Sequence, residues 1–84
     1  MMELPVKLYA VSTCPHCNCT KELLDECRVR YECTDVDKVS KEEVAAVLEE
    51  VKRLNSLCSF PTLVIGKRVI VGYKENEIKE ALGL

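Results

Sequence analysis

The chain has 84 residues, 12 Lys plus Arg against 14 Asp plus Glu, a net charge of −2, 48% hydrophobic residues and only three Gly and three Pro. So mild a charge balance, with no basic cluster, argues against nucleic acid or an anionic membrane surface as partner, and the composition excludes a disordered or low-complexity chain. One domain over residues 1–84 with one small core is expected, and the six cysteines are the feature to explain.

The start, Met1-Met2-Glu3-Leu4-Pro5, has neither the basic opening nor the apolar segment of a secretory leader, and no run approaches the roughly 18 apolar residues of a membrane span. A cytoplasmic chain with reduced thiols is expected rather than a secreted scaffold stapled by disulfides. Val6 to Val11 is a mostly apolar, β-compatible run ended by Ser12-Thr13 and reads as a buried strand. Cys14-Pro15-His16-Cys17 opens a helix that runs to about Glu26, with proline in the first turn, where a helix tolerates it. Cys17, Thr20, Leu23, Leu24 and Cys27 share one face, and Cys19 lies about 200° round the helix from Cys17.

Val29 to Asp37 reads as a second strand, with Val29, Tyr31 and Cys33 alternating against Arg30, Glu32 and Thr34. Ser40-Lys41-Glu42-Glu43 is a capping box in which the Ser40 hydroxyl meets the Glu43 amide and Glu43 reaches back. The helix it opens carries Val44, Val47, Leu48, Val51 and Leu54 on one face and stops at Asn55-Ser56. Thr62–Ile65 and Arg68–Val71 flank Gly66-Lys67 as a β-hairpin, and Glu75 to Leu82 is a last helix with Ile78, Ala81 and Leu82 inward and Gly83 in the stop position. The order is β-α-β-α-β-β-α. A right-handed βαβ start makes the first two strands parallel, and the hairpin completes a mixed four-stranded sheet covered by three helices.

Cys14-x-x-Cys17 sits at a strand-to-helix junction, and this context separates it from the Cys-x-x-Cys of zinc sites. The unpaired amides and positive end of the helix favour a thiolate at Cys14, and the thiolate is the nucleophile. Cys14 precedes the helix and is the outer thiol; Cys17, on the inward stripe, is the inner one. That division suits dithiol exchange.

Cys14-Pro15-His16-Cys17, the proline of Ser59-Phe60-Pro61-Thr62 opening the third strand, and Gly72 before the last helix together resemble a glutaredoxin-type protein of the thioredoxin-fold superfamily. The resemblance spans nearly the whole chain. It implies thiol–disulfide exchange, reducing protein disulfides or glutathione mixed disulfides, with Cys14 as nucleophile and Cys17 as resolving thiol. It also implies a cis Pro61 facing the dithiol and a Phe60 backbone free to pair with a peptide-like substrate. The groove it implies comprises Thr13, Phe60, Pro61, Thr62, Gly72, Tyr73, Lys74 and Glu75. Glutathione-using members usually carry Tyr where this chain has His16, Lys where it has Val11, and Gly-Gly where it has Val71-Gly72. Glutathione is therefore a candidate co-substrate with a weakened site, Glu75 keeping an acidic slot for its amino group. A Gly followed by an aromatic also resembles the short reductants of ribonucleotide reductase, which draw on thioredoxin reductase. The expected partners are disulfide-containing client proteins and one of those two electron donors, acting on a monomer with no bound cofactor.

His16, the single histidine, is expected to tune Cys14 as a nearby cation; the competing reading is an exposed bystander. Cys27 and Cys33 read as small buried hydrophobes, Cys19 as an exposed residue of no special role, and Cys58 as either a loop residue or a backup thiol near the groove. The rival class is a metal or iron–sulfur module using Cys14, His16, Cys17, Cys19 and Cys58. Against it, the cysteine spacing supplies no second tight ligand pair.

Overall fold

The structure, a computed structural model, describes residues 5–84. Met1 to Leu4, which carry most of the case against a secretory leader, lie outside the described residues. The elements are β1 (Val6–Ala10), α1 (Pro15–Glu26), β2 (Glu32–Asp35), α2 (Lys41–Leu54), β3 (Thr62–Ile65), β4 (Arg68–Val71) and α3 (Glu75–Leu82). They form one mixed sheet in the order β2-β1-β3-β4, with β1 parallel to β2 and antiparallel to β3, and β3 antiparallel to β4. This is the thioredoxin-like arrangement expected from the element order.

Register divides the residues between the two faces. Leu8 lies opposite Leu63, and Leu63 opposite Ile70. These three join Val6, Ala10 and Ile65, Cys17, Leu23 and Leu24 of α1, and Ile78 of α3 in the main core. The alternate positions face the other way. Tyr9 and Thr62, paired in the ladder, are buried there, where Val51 of α2 is also buried. The stripe read on α2 is present but shallow: Val51 is buried, while Val44, Val47, Leu48 and Leu54 are half-buried. Among the described residues no helix is long and apolar enough to cross a membrane.

Three local expectations are corrected. The second strand is four residues, Glu32–Asp35, and not Val29 to Asp37. Its start is displaced because α1 ends in a Schellman turn: Arg28 takes a left-handed φ of 57°, and the Val29 and Arg28 amides donate to Leu24 and Asp25 carbonyls at 3.0 Å each. Its end is displaced because the Lys38 amide turns back onto the Asp35 carbonyl at 2.9 Å. In the capping box, the Ser40 hydroxyl donates to the Glu43 carboxylate at 3.0 Å, so the two side chains satisfy each other instead of the helix amides. Cys33, expected in the core, is exposed, and Cys27 is only half-buried against it. Cys33 does lie beside Leu8 on the core face, but β2 is the sheet edge, where α1 gives incomplete cover.

The hairpin and the last helix match their expectations. Gly66 opens the two-residue turn with φ 62°, and Gly83 ends α3 at φ 79°. Both are values that favour a residue without a Cβ.

Candidate active site

Cys14 is the N-cap of α1, with extended backbone (φ −83°, ψ 120°), and Pro15 begins the helix. This cap is a thiol instead of the usual hydroxyl or carboxylate. Its Sγ accepts the Cys17 amide at 3.4 Å, one of the donors a helix start leaves unpaired. The Cys14 amide donates to the Val11 carbonyl at 3.0 Å, which turns the chain from β1 into the helix. Cys14 is half-buried and Cys17 fully buried, so the outer and inner thiols are those expected. The Cys17 thiol, followed by the Cys17 and His16 amides, holds the Cys14 thiol below its ordinary acidity constant. Burial pushes Cys17 the opposite way, up to about 11. The two thiols are thus shifted in opposite directions.

His16 is exposed, and its effect on Cys14 runs through its backbone amide. The loop before Cys14 is tied down from across the sheet end. The Ser12 amide donates to Asp37 Oδ1 at 2.9 Å and the Ser12 hydroxyl to Asp37 Oδ2, and these bonds lower the Asp37 carboxyl.

The Asn55–Thr62 segment leads from α2 into β3. Phe60-Pro61 is cis, and Phe60 packs half-buried against the core that Cys14 also touches. Asn55, read from the sequence only as a helix stop, organises this segment. Its buried side-chain nitrogen donates to Ser59 O (3.3 Å), Ser59 Oγ (3.0 Å) and Thr62 Oγ1 (3.3 Å), while its oxygen accepts the Leu57 amide at 3.1 Å. Cys58 sits within this turn at φ 49°, half-buried, and Leu57 is left 81% exposed. Nothing in the sequence pattern signals this role, because the four bonds depend on how the turn closes.

The expected groove is assembled only in part by side chains. Thr13, Tyr73, Lys74 and Glu75 are exposed and Phe60 and Gly72 half-exposed. Pro61 and Thr62 are fully buried, and the Thr62 hydroxyl donates inward to Ser59 O at 2.7 Å, so neither side chain meets a ligand. The Pro61 carbonyl is also taken, accepting the Gly72 amide at 2.9 Å. Glu75 is already engaged: Lys79 holds one oxygen at 3.0 Å and the Tyr73 hydroxyl donates to the other at 3.5 Å. Among the described residues, no three His, Cys, Asp or Glu side chains converge to hold a metal ion. An open hollow of about 360 Å³ lined by Pro5, Val6, Lys7, Arg30, Tyr31 and Glu32 lies where β1 begins, and it contains none of the expected site residues.

Comparison with known proteins bears on the family and the fold. The glutaredoxin family model matches residues 6–70. A curated relative, an uncharacterized glutaredoxin-like 8.6 kDa protein in the rubredoxin operon of Clostridium pasteurianum, is 30% identical over 77 residues, which is 92% of this chain and 96% of the relative. Methanosarcina acetivorans methanoredoxin superposes with a TM-score of 0.91 at 40% identity, covering 95% of this chain and 85% of that one. A glutaredoxin from Archaeoglobus fulgidus gives 0.88 at 37% identity, covering 93% and 85%.

Proposed function

The chain belongs to the glutaredoxin family, and from that premise we propose that it is a small dithiol oxidoreductase, with Cys14 as nucleophile and Cys17 as resolving thiol. The carrying observation is the dithiol at the start of α1, where half-buried Cys14 caps the helix by accepting the amide of fully buried Cys17 at 3.4 Å. The Cys14 thiolate attacks a substrate disulfide, forming a mixed disulfide and expelling one substrate thiolate. Cys17 then attacks Cys14 Sγ, releasing the second substrate thiol and leaving a Cys14–Cys17 disulfide. An external reductant restores the dithiol. His16 contributes its backbone amide to the Cys14 sulfur, and Thr13, Phe60, Gly72, Tyr73 and Lys74 offer the surface on which a client segment rests.

Clients are disulfide-bearing proteins or glutathione mixed disulfides. With Glu75 paired to Lys79 and Tyr73, a glutathione amino group would have to displace an existing ion pair, which favours protein disulfides. The working form is a cytoplasmic monomer reduced by glutathione or by a thioredoxin reductase.

The test is a pair of variants. Cys14→Ser should abolish disulfide reduction, and Cys17→Ser should accumulate a covalent adduct between Cys14 and the substrate, seen by intact mass. Retained turnover in both variants, with no adduct, would overturn the assignment. Presenting the oxidised protein in turn to glutathione with its reductase and to a thioredoxin reductase identifies the electron donor.

A further inference from the structure

The second step of that exchange poses a physical problem. Cys17 is completely buried, and burial holds its thiol above the ordinary value, yet it must become a thiolate to attack Cys14. The Val11 amide facing its sulfur relieves some of this, and a neighbouring positive charge relieves it further.

The fold supplies one cation on the right face. Lys21 is four residues after Cys17 on α1, so it lies about 40° round the helix and about 6 Å along it. A surface lysine would swing into water, but this one is held. Its Nζ donates to Asp35 Oδ1 at 2.9 Å, and the side chains retain only 23% and 27% exposure. Asp35 ends β2 opposite Ala10, so its side chain shares the core face with Ala10, one strand spacing (about 4.8 Å) away. Cys17 and Ala10 belong to that same core. Helix periodicity and strand register thus place the anchored ammonium on the face of α1 that carries the buried thiol. Asp35 also keeps Lys21 protonated.

We infer that Lys21, anchored by Asp35, is a positioning residue for the resolving step: its fixed charge stabilises the Cys17 thiolate while the mixed disulfide waits on Cys14. The inference rests on the dithiol reading above. In the step, Cys17 gives its proton up to solvent and its sulfur bonds to Cys14 Sγ, so the proton lost there balances the one the leaving thiolate takes up. The bond from Cys14 to the substrate sulfur breaks, and the departing thiolate takes a proton from solvent. No outside oxidant is needed, because the mixed disulfide is the oxidant. The other titratable groups around this face are Cys14 and His16 at the start of α1 and Tyr31, Cys33 and Asp35 from the β2 segment, while α3 contributes the apolar Ile78.

The experiment uses the full chain with Cys19, Cys27, Cys33 and Cys58 replaced by Ser, and one equivalent of dithiobis-nitrobenzoate, a disulfide that releases a coloured thiolate. The first release reports attack by Cys14 and the second reports attack by Cys17. Lys21→Met should slow the second release roughly tenfold at neutral pH, the scale of losing one partly screened charge at this range, and leave the first within about twofold. The pH midpoint of the second release should move upward in Lys21→Met and return in Lys21→Arg. An unchanged second release or midpoint in a folded Lys21→Met protein overturns the inference alone, as does equal slowing of both releases. Absence of any second release in the parent, with Lys21 intact, overturns the dithiol reading itself.

Discussion

The acidity split between Cys14 and Cys17 predicts which sulfur an alkylating agent finds. Moving a thiol from 9.0 to about 11 lowers its thiolate fraction at neutral pH about a hundredfold. A more basic thiolate is also the better nucleophile, with a Brønsted slope of about 0.4–0.5, which returns roughly a factor of ten. Chemistry alone therefore leaves Cys17 about tenfold slower than an ordinary cysteine, and its zero exposure slows it further. Cys14 moves the other way and is accessible. Cys19, exposed on the outer side of α1, is an internal reference in the same molecule. Timed iodoacetamide labelling of the reduced protein, read by peptide mass spectrometry, should rank Cys14 first, then Cys19, with Cys17 at least tenfold behind Cys19. Raising the pH should keep increasing Cys17 labelling towards pH 11, whereas Cys14 labelling levels off below pH 9. Labelling of Cys17 at the Cys19 rate, or of Cys19 ahead of Cys14, would refute the argument that the helix start and the core set these acidities.

The buried thiol and one carboxylate leave marks on stability. Cys17 holds its proton more tightly folded than unfolded, so its contribution is complete below about pH 9 and is lost as pH rises towards about 11, on the order of 2–3 kcal/mol. Urea unfolding of the reduced protein should show this loss and Cys17→Ser should lessen it; identical alkaline slopes would count against it. Asp37 is shifted downward by its bonds from Ser12, so its stabilisation is present above about pH 4 and is lost as pH falls through the folded value. Asp37→Asn should flatten that acid limb in thermal melts, and it should also loosen the Ser12 loop enough to slow Cys14 labelling. A full acid limb in the variant would contradict the sign.

Local chemistry made much of the molecule legible. Pro15 in a first helical turn, Gly66 in a two-residue hairpin and Gly83 at a helix end each name a conformation that few other residues take, and the structure adopts all three. Helical periodicity placed Cys17 on the buried side of α1 and Cys19 on the exposed side. Cys33 misled because alternation tells which face of a strand a residue occupies but not whether that strand is central or at the edge. The end of α1 misled because Arg28, a residue with a Cβ, takes the left-handed position usually left to Gly.

By itself the sequence determined the order of elements, the right-handed parallel start and the dithiol at a helix N-terminus, because these follow from periodicity, capping and chain handedness. Only the tertiary structure decided which polar groups meet. Lys21 reaches Asp35 over 14 residues, Ser12 reaches Asp37 over 25, and Asn55 gathers Ser59 and Thr62. It also decided that Thr62 turns inward and that Glu75 is taken by Lys79. Such contacts depend on strand order and register, which bring together side chains that no local pattern relates. The candidate dithiol can therefore be read along the chain, while the charged groups around it are placed only when it folds.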